Sequence, residues 1–564
     1  MKKRKFKKII CLILSVILMT SNLCDMSFAF LGWYKDGDKM TYLNSEGYKY
    51  ANTWKEADGW MFYLNDEGYV IYNKVFDYNG NIFCVNKVGA RVTNEFVDVT
   101  ADMIDDPDIT PGTYYFSSNG SAYRKNSTTF SKIINGKKYA FDEEGHLLRD
   151  CWLNAEGDLI ESDILTEGVY YVRSDGTVIQ NAWYDFTEDA GADEDLGDSE
   201  LISEDYDEMS KLWMYFGSNG KKYTADADSP KLKKLRANGR EYAFDEKGIL
   251  VLGFEKNRNE VDYNQQSNPV VSGNIRAYDE YEGNLIKDQW LYCVTPQDFD
   301  EADYYDGREY WFYVGSDGTL IKNKMTTIDN KKYVFDGMGR LRKGFVLIDG
   351  ISYFVAEYKA EDLSKDDFIY SVAEGGKLYG SDLSDIRYFD ESEDQEGEML
   401  TGTVKIELND GKYDFNFRSS NGKAVGNKNE LKLYQGSYYR NGLKFIPWED
   451  TQYGIVKVDD DEYRVINSQG RMIKAKKRVI KDDFENYMII LNNKLAGYIK
   501  QPKQKIKLRW NTFGGTTGYY YYDLDMEATR SEARYTGLAV ASGTVYPTDD
   551  MLKDIPNDMK VNFR

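Results

Sequence analysis

The sequence predicts an all-β fold, an extended solenoid of stacked β-hairpin repeats that ends in a small β-rich C-terminal region. Three observations predict it: aromatic and polar residues alternate with the period of a strand, Asn-Gly and Asp-Gly pairs mark tight turns, and the combination repeats along most of the 564-residue chain. The chain also has 47 tyrosines, 48 glycines and only 9 prolines. Because a lone hairpin is marginal in water, we expect the hairpins to stack and to bury their aromatic faces on one another.

Each repeat reads aromatic-x-aromatic, one or two polar residues, Asn/Asp-x-Gly or a near variant, and then apolar residues. Two forms often alternate, one with Ser-Asn/Asp-Gly and one with Asn-Gly-Lys/Arg-x-Tyr-x-Phe-Asp. The clearest copies are TYLNSEGYKY from Thr41, FYLNDEGYVIYN from Phe62, YYFSSNGSAY from Tyr114, KYAFDEEGHLL from Lys138, YYVRSDGTVI from Tyr170, MYFGSNGKKY from Met214, EYAFDEKGILV from Glu241, FYVGSDGTLI from Phe312 and KYVFDGMGRLRKGF from Lys332.

The N-terminus has the features of a secretory signal peptide. Six basic residues precede an apolar run from Ile9 to about Met19, and a small-x-small site ends at Ala29. The apolar run is short for a transmembrane helix. We therefore expect a secreted protein with no membrane span.

The rest of the chain is expected to have three parts. A hairpin array with acidic loop inserts covers 30–397, a divergent repeat or β module with a basic segment covers 398–509, and a small β-rich domain or cap covers 510–564. The acidic inserts, at 188–208, 297–306 and 390–398, are interpreted as solvated loops. Calcium binding is the alternative, although no insert has the spacing and the glycine of a calcium-binding loop.

Composition excludes several classes of function. The formal net charge is −22. Removal of the six basic residues and Asp25 of the signal peptide, a net charge of +5, leaves about −27, which argues against nucleic acid as a partner. Cys84, Cys151 and Cys293 do not make a disulfide framework. The single histidine, His146, rules out zinc sites with several histidine ligands and is interpreted as an exposed hairpin residue. We expect no cofactor and no resident metal.

The repeats resemble the cell-wall-binding repeats of the choline-binding family, most clearly in GWYKDGDKMTYLNSEG at 32–47 and TWKEADGWMFYLNDEG at 53–68. They are also similar to the sugar-binding repeats of glucan-binding proteins and of large glucosylating toxins. The resemblance covers most of 32–477. It implies a cell-wall polymer as the partner, either choline-decorated teichoic acid or a wall glycan, and noncovalent attachment at the cell surface.

The family's cages combine tryptophans of one repeat with an aromatic residue of the next, and their rings attract a quaternary ammonium. Trp33 and Trp54 match the first cage position, whereas Met40 and Met61 stand at the second. Core packing of each ring is the alternative at every position. The resemblance suggests three more cages, each with a following aromatic residue as third wall: Trp152 with Tyr170, Trp183 with Trp213, and Trp290 with Trp311, the third walls being Tyr184, Phe254 and Phe345.

A basic segment between Arg464 and Arg509 holds thirteen Lys or Arg residues and three acidic ones. It suggests contacts with the phosphates of teichoic acid. The candidate residues are Lys474, Lys476, Lys477, Arg478, Lys503, Lys505, Lys507 and Arg509.

Three functions from different classes follow from the sequence. The leading one is a non-catalytic surface protein held on the Gram-positive cell wall by its repeats. The second is a secreted adhesin or lectin-like protein that binds host or environmental glycans, or a host protein. The third is a cryptic peptidoglycan hydrolase, which the short repeat-poor segments disfavour. We therefore expect no enzyme.

Overall fold

The computed structural model describes residues 31–162, 164–186, 212–226, 231–255, 261–262, 268–349, 353–371, 378, 384–394, 396–500, 507–513, 516–522 and 549–562. The predicted signal peptide and the acidic insert at 188–208 lie outside the described residues. The chain divides into two compact units, Met1–Val251 and Leu252–Arg564.

The first unit is a series of antiparallel hairpins, one of which carries a third strand. Its strands are β1 (Gly32–Asp36), β2 (Lys39–Leu43), β3 (Thr53–Ala57), β4 (Trp60–Leu64), β5 (Lys74–Tyr78), β6 (Asn81–Val85), β7 (Glu95–Val99), β8 (Gly112–Phe116), β9 (Ser131–Ile134), β10 (Lys137–Ala140), β11 (Cys151–Leu153), β12 (Leu159–Ile160), β13 (Tyr170–Val172), β14 (Ala182–Asp185), β15 (Trp213–Phe216), β16 (Lys233–Ala237) and β17 (Arg240–Phe244). Helix α1 (Ile164–Glu167) and a 3-10 turn (Ala101–Met103) complete it.

Consecutive hairpins of the first unit are joined by single backbone bridges. The second strand of one hairpin bridges the residue that follows the turn glycine of the next, as in Thr41 with Tyr69, Phe62 with Ala90, and Tyr139 with Thr177. Each hairpin therefore contacts its neighbours in sequence, which is the arrangement of a solenoid. This confirms the predicted fold class.

The turns are of the type that the Asn-Gly and Asp-Gly pairs predict. In the loop between β5 and β6, Asn79 and Gly80 have φ of 54° and 77°, and the pair Asn135 and Gly136 between β9 and β10 has 50° and 81°. Two successive positive φ angles define a type I′ turn, whose twist matches that of the strands it joins.

A second recurring glycine follows the second strand of each hairpin and packs against the preceding repeat. Gly89 has φ of +81°, and a Cβ there would lie 2.8 Å from Cγ1 of Val70 and 3.1 Å from the backbone oxygen of Ile71. Gly80 has a similar φ of +77°, but a Cβ there would meet nothing within 4 Å. The two glycines thus share a backbone conformation and differ in packing.

Alanine at these two positions is expected to separate strain from packing. Gly80→Ala should destabilise the first unit by about 1–2 kcal/mol through left-handed strain alone. Gly89→Ala should cost about 1–3 kcal/mol more, because the methyl group overpacks the contact with Val70. Backbone hydrogen exchange of β4 and β6 in the full chain measures both, and equal costs would contradict the packing role of Gly89.

The second unit mixes hairpins with larger sheets. Its strands are β18 (Gly253–Phe254), β19 (Val261–Asp262), β20 (Val270–Val271), β21 (Ala277–Tyr278), β22 (Gln289–Val294), β23 (Glu309–Val314), β24 (Lys324–Ile328), β25 (Lys331–Phe335), β26 (Leu341–Arg342), β27 (Gly344–Asp349), β28 (Tyr353–Tyr358), β29 (Ser384–Phe389), β30 (Gly402–Leu408), β31 (Gly411–Phe417), β32 (Lys432–Tyr434), β33 (Ser437–Arg440), β34 (Leu443–Lys444), β35 (Tyr453–Asp459), β36 (Glu462–Asn467), β37 (Lys477–Lys481), β38 (Tyr487–Leu491), β39 (Lys494–Ile499), β40 (Lys507–Phe513) and β41 (Thr516–Tyr522). Its helices are α2 (Glu301–Tyr305), α3 (Lys365–Ile369) and α4 (Asp549–Asp554), with 3-10 turns at Ala360–Asp362 and Asn557–Met559.

Three features distinguish the C-terminal part of the second unit. One sheet has five strands in the order β30-β31-β34-β33-β32, and β37-β38-β39 form another. Ile555 and Met559 are buried with Ile455, Met488 and Leu495 in one apolar cluster. The predicted boundary at 509/510 falls inside β40, and residues near the C-terminus complete the core of the preceding module.

A network of buried ion pairs surrounds the loop that joins β25 to β26. Asp336 accepts a hydrogen bond from Nε of Arg340 at 2.8 Å and from Nε of Arg342 at 3.0 Å, and Arg340 is also paired with Asp303. Asp336, Arg340 and Asp303 are only 2%, 7% and 5% exposed. Arg342 also reaches Oε2 of Glu357 at 3.1 Å. The charges are therefore shared within a desolvated cluster.

Within the described ranges, no helix is both long enough and apolar enough to span a membrane.

Candidate ligand-binding site: recurring aromatic triads

An aromatic triad recurs in both units. Its first ring stands on the first strand of a hairpin, its second is the directly opposite residue on the second strand, and its third comes from the second strand of the next hairpin. The triads are Trp33-Tyr42-Phe62, Trp54-Tyr63-Phe83, Phe96-Tyr115-Tyr139, Trp183-Tyr215-Tyr242 and Trp290-Tyr313-Tyr333.

The distances between the ring centroids are nearly constant among the triads. The first ring lies 4.9–5.3 Å from the second and 4.9–5.5 Å from the third, centroid to centroid. In the Trp290 triad the Trp290 ring is inclined by 65° to Tyr313 and by 74° to Tyr333. Such edge-to-face contacts stabilise the packing of consecutive hairpins.

Trp33 and Trp54, the two positions matched to the family pattern, both begin a triad. Trp33 also donates a hydrogen bond from Nε1 to the backbone oxygen of Glu56 at 3.0 Å. Trp54 is crowded, because Phe76 and Tyr78 pack on it as well as the triad rings. Both side chains are half-buried.

The expected pairing of Trp152 with Tyr170 in one groove has to be corrected. Trp152 is opposite Tyr171, and their rings lie 5.1 Å apart. Tyr170 is opposite Leu153 and therefore points to the other face of the sheet, where it packs on Phe130. Trp152 and Tyr170 are 5% and 6% exposed, so both are core residues. The predicted third wall, Tyr184, does pack on Trp152 at 6.3 Å.

The expected pair of Trp183 and Trp213 is offset by two residues. Trp183 is opposite Tyr215, whereas Trp213 is opposite Asp185 at the end of the hairpin. The third ring on Trp183 is Tyr242 at 5.0 Å, and the predicted wall Phe254 packs instead on Phe312.

Trp290 and Trp311 do lie together, with centroids 6.2 Å apart and planes at 88°. Trp311 donates a hydrogen bond from Nε1 to Oε2 of Glu396 at 3.0 Å. The third ring is Tyr333, because Phe345 is fully buried elsewhere against Phe368.

Two core residues of the first unit are covered by the chain's own lysines. Nζ of Lys222 lies 5.7 Å from the Trp152 ring and donates a hydrogen bond to the backbone oxygen of Leu165 at 2.7 Å. Nζ of Lys138 lies 4.9 Å from the Tyr170 ring. Burial lowers the pKa of Lys222 to about 8, against a smaller opposing effect of Asp245, and it also lowers the pKa of Lys138.

The buried ammonium of Lys222 makes the stability of the first unit depend on pH. Because its pKa falls from 10.5 in the unfolded chain to about 8 in the folded one, the unfolded state binds more protons between these values, and stability rises with pH in this window. Relative to Lys222→Met, wild type should gain about 2 kcal/mol between pH 8 and 9.5 and nothing below pH 7. Urea unfolding at several pH values, with Lys221→Met as the exposed control, measures the difference. A constant difference would contradict the burial of the charge.

The structure describes part of the basic segment. Lys474, Lys476, Lys477 and Arg478 are all exposed. The strand β40, which carries Lys507 and Arg509, contacts β37, which begins with Lys477 and Arg478. Two stretches of the segment are thus brought to adjacent strands. Lys503 and Lys505 lie outside the described residues, and the side chains of Lys507 and Arg509 are not described.

His146 is half-buried rather than exposed as predicted. Its Nδ1 lies 2.8 Å from Oδ2 of Asp142, and its Nε2 lies 2.8 Å from the Tyr114 hydroxyl and 2.9 Å from Oγ1 of Thr110. A Cβ on Gly112 would lie 2.3 Å from the imidazole Cδ2. His146 therefore connects the hairpin of β7 and β8 to that of β9 and β10. Both of its ring nitrogens have hydrogen-bond partners in the protein, although Asp142 and Glu144 stand close enough to share a metal with it.

Two acidic inserts contribute contacts that the sequence does not reveal. Asp303, in the insert at 297–306, is buried and belongs to the ion network around Arg340. Glu396, in the insert at 390–398, is half-buried, accepts a hydrogen bond from the Trp311 indole and pairs with Nζ of Lys343 at 2.6 Å. The interpretation of these inserts as solvated loops is wrong for Asp303. An acidic residue that enters a core has no local signal, because its cationic partner is distant in sequence.

These features define a β-hairpin repeat protein in which aromatic triads join consecutive hairpins. No protein-family model matches the chain, and no curated protein matches it. Solved structures that match include the modular autolysin LytC of Streptococcus pneumoniae in complex with a synthetic peptidoglycan ligand, at 17% identity and a TM-score of 0.26 over 57% of this chain and 50% of that one. The choline-binding domain of CbpL from S. pneumoniae matches at 16% identity and a TM-score of 0.26, over 52% of this chain and 97% of that one.

A third match is choline binding protein F of S. pneumoniae with a peptidoglycan analogue, at 14% identity and a TM-score of 0.19, over 74% of this chain and 99% of that one. The chain spans about half the length of the LytC structure that it matches.

Proposed function

We propose that this chain is a non-catalytic, secreted surface protein that binds the Gram-positive cell wall noncovalently through its hairpin repeats. The observation that supports it most is the recurrence of one aromatic triad at five places, with centroid distances that vary by only a few tenths of an ångström. The repeat pattern that resembles the wall-binding family lies on these same hairpins.

The triads suit a ligand that carries a quaternary ammonium. Aromatic ring faces attract a cation by their quadrupoles, and methyl groups on nitrogen add apolar contact. The acidic surroundings favour a cation further, because Asp288 and Asp329 act on the Tyr313 hydroxyl and, after burial, raise its pKa. Choline on teichoic acid has this chemistry, and a wall glycan stacked on the rings is the neutral counterpart.

The exposed basic residues on and before β37 supply a second contact of opposite sign. Lys474, Lys476 and Arg478 are exposed and form no ion pair with another described residue. Phosphates of a teichoic acid would be bound there, while the strongly acidic remainder of the chain is repelled by the polymer. Such a charge distribution orients the protein on the wall.

Co-sedimentation of residues 30–564 with isolated Gram-positive cell walls tests the proposal. We expect the chain to sediment with intact walls, to be released by free choline, and to stay in solution when teichoic acid has been stripped from the walls. Binding that ignores choline but disappears on stripping would assign the contact to the polymer backbone. No sedimentation at all would reject wall binding, and a glycan array would then test the adhesin alternative.

Neutralising four exposed residues of the basic segment tests the proposed contact with polymer phosphates. Lys474→Gln, Lys476→Gln, Lys477→Gln and Arg478→Gln together should weaken wall binding and reduce its salt dependence. The matched control replaces four exposed lysines elsewhere, Lys35, Lys87, Lys221 and Lys412, by glutamine. Equal effects of the two sets would reject a specific basic contact.

The absence of catalysis is part of the proposal. His146 is held by Asp142, Thr110 and Tyr114, which argues for a structural role of the one imidazole. Release of muropeptides from purified peptidoglycan by the full chain would overturn this part of the proposal.

A further inference from the structure

One further position is structurally equivalent in all five triads. It is the residue directly opposite the third ring, on the first strand of the same hairpin, so its side chain shares a face with that ring. We name it the filler position. It is Lys55 opposite Phe62, Phe76 opposite Phe83, Lys132 opposite Tyr139, Leu235 opposite Tyr242, and Thr326 opposite Tyr333.

A second position flanks each triad eight residues after the second ring. Its backbone N–H donates to the backbone oxygen of that ring's residue, at 2.8–3.2 Å in all five cases. We name it the flank position. In chain order the flank residues are Tyr50, Ile71, Tyr123, Tyr223 and Ile321.

Where the filler is lysine, the flank is tyrosine and the two are in contact. Nζ of Lys55 lies 3.4 Å from the Tyr50 ring and 5.0 Å from the second ring, Tyr42. Nζ of Lys132 lies 4.9 Å from the Tyr123 ring. Both lysines are half-buried. The chain thus supplies its own ammonium to the second ring and the flank of the Trp33 triad, and to the flank of the Phe96 triad.

The fillers of two other triads are bulky and apolar. Phe76 lies 4.4 Å from Tyr63 and 5.8 Å from Trp54, so a fourth ring occupies the Trp54 triad, and Arg91 lies over Trp54 at 5.3 Å. Leu235 is only 8% exposed in the Trp183 triad, where Lys233 also lies 5.5 Å from the flank Tyr223.

The Trp290 triad differs from the other four at its filler position. Its filler, Thr326, is the smallest of the five, and its flank, Ile321, offers no ring to hold a lysine. Trp311 and Phe335 also pack on Trp290, at 6.2 and 5.8 Å. The ring-facing cations of the described second unit stand over other rings, Tyr310, Phe354, Tyr413 and Trp448. The three triad residues are half-buried, as are those of the Trp33 and Trp183 triads.

From this comparison we infer that the filler residue sets ligand access. Lys55 and Lys132 act as built-in ligands that close their triads to external cations, and Thr326 leaves the Trp290 triad open to one quaternary ammonium ion. The inference rests on the proposed function for its biological ligand, but it concerns which triads accept a cation and can be measured without any wall.

A reciprocal exchange of fillers in the full chain tests the inference. Choline chloride and tetramethylammonium chloride are the probes, equilibrium dialysis gives the number of sites, and 19F NMR of 5-fluorotryptophan protein locates them at Trp290 or Trp33. Wild type should show a saturable shift of the Trp290 resonance and none of Trp33. Thr326→Lys should weaken binding at Trp290 at least tenfold, whereas Thr326→Ser, which keeps a small uncharged side chain, should change it less than twofold.

The opposite exchange should create a site. Lys55→Thr removes the built-in ammonium and should add a second saturable site with a shift of the Trp33 resonance, while Lys35→Thr, an exposed lysine on the preceding hairpin, should add none. The inference is overturned if Thr326→Lys leaves the Trp290 site intact, if Trp33 responds to the probes in wild type, or if Lys55→Thr adds no site. Failure of wall sedimentation with these responses intact would reject the wall ligand alone.

Discussion

Replacing Asp336 by alanine is expected to destabilise the second unit by about 3–5 kcal/mol, because it leaves Arg340 and Arg342 buried without their shared carboxylate. Arg340 is 7% exposed, so water cannot take over the lost contact. Hydrogen exchange of β25 and β26 in the full chain measures the loss. As control, Lys39→Ala removes the exposed pair with Glu67 at 3.7 Å and should change the stability of the first unit by less than 1 kcal/mol.

The same network predicts acid sensitivity. Burial raises the pKa of Asp336, but Arg342 and Arg340 outweigh burial and hold that pKa below its ordinary value of 3.8. Its contribution is therefore fully present above the unfolded-state pKa and is lost as the pH falls through the lowered value. Asp336→Asn should remove this part of the acid dependence of the second unit. An unchanged acid profile together with normal stability would show that the network contributes nothing.

Trp152→Ala is expected to cost the first unit about 3–5 kcal/mol, the range for removing a large aromatic core side chain. Trp152 packs on Tyr171, Phe186 and Phe216 at 5.1–5.8 Å. Tyr48→Ala, at a ring that is 69% exposed, should change stability by less than about 0.5 kcal/mol. Urea unfolding and choline dialysis on the same proteins separate the two roles. A Trp152→Ala protein of normal stability that had lost a choline site would reverse our assignment of Trp152 to the core.

The hairpins and their turns could be predicted from the sequence because their signals are local. Asn79 and Gly80 lie in a type I′ turn, as the Asn-Gly pair indicates. The members of each triad were harder to predict from the sequence, because side chains alternate between the two faces of a strand. A shift of one residue in the strand pairing therefore moves a ring to the other face. This is why Trp152 faces Tyr171 rather than Tyr170. The length of an insert does not reveal how the strands around it align.

The filler position has a constant place in the repeat, but its contacts do not. Lys55 and Thr326 each lie thirteen residues before the recurring glycine, Gly68 and Gly339, and each is opposite the third ring of its triad. The sequence therefore aligns these two residues, whereas the rings that each side chain contacts follow only from the packing of consecutive hairpins. Asp303 has no such alignment, because its partner Arg340 follows 37 residues later.

The bridges between consecutive hairpins have a consequence for how the chain acquires its structure. Thr41 bridges Tyr69, and Phe62 bridges Ala90, so each hairpin of the first unit needs only the next few dozen residues to close its contacts. Short-range contacts of this kind favour rapid folding. The first unit is therefore suited to vectorial folding, in which hairpins add one after another to a growing template as the polypeptide is released, with little unfolded chain exposed at any moment.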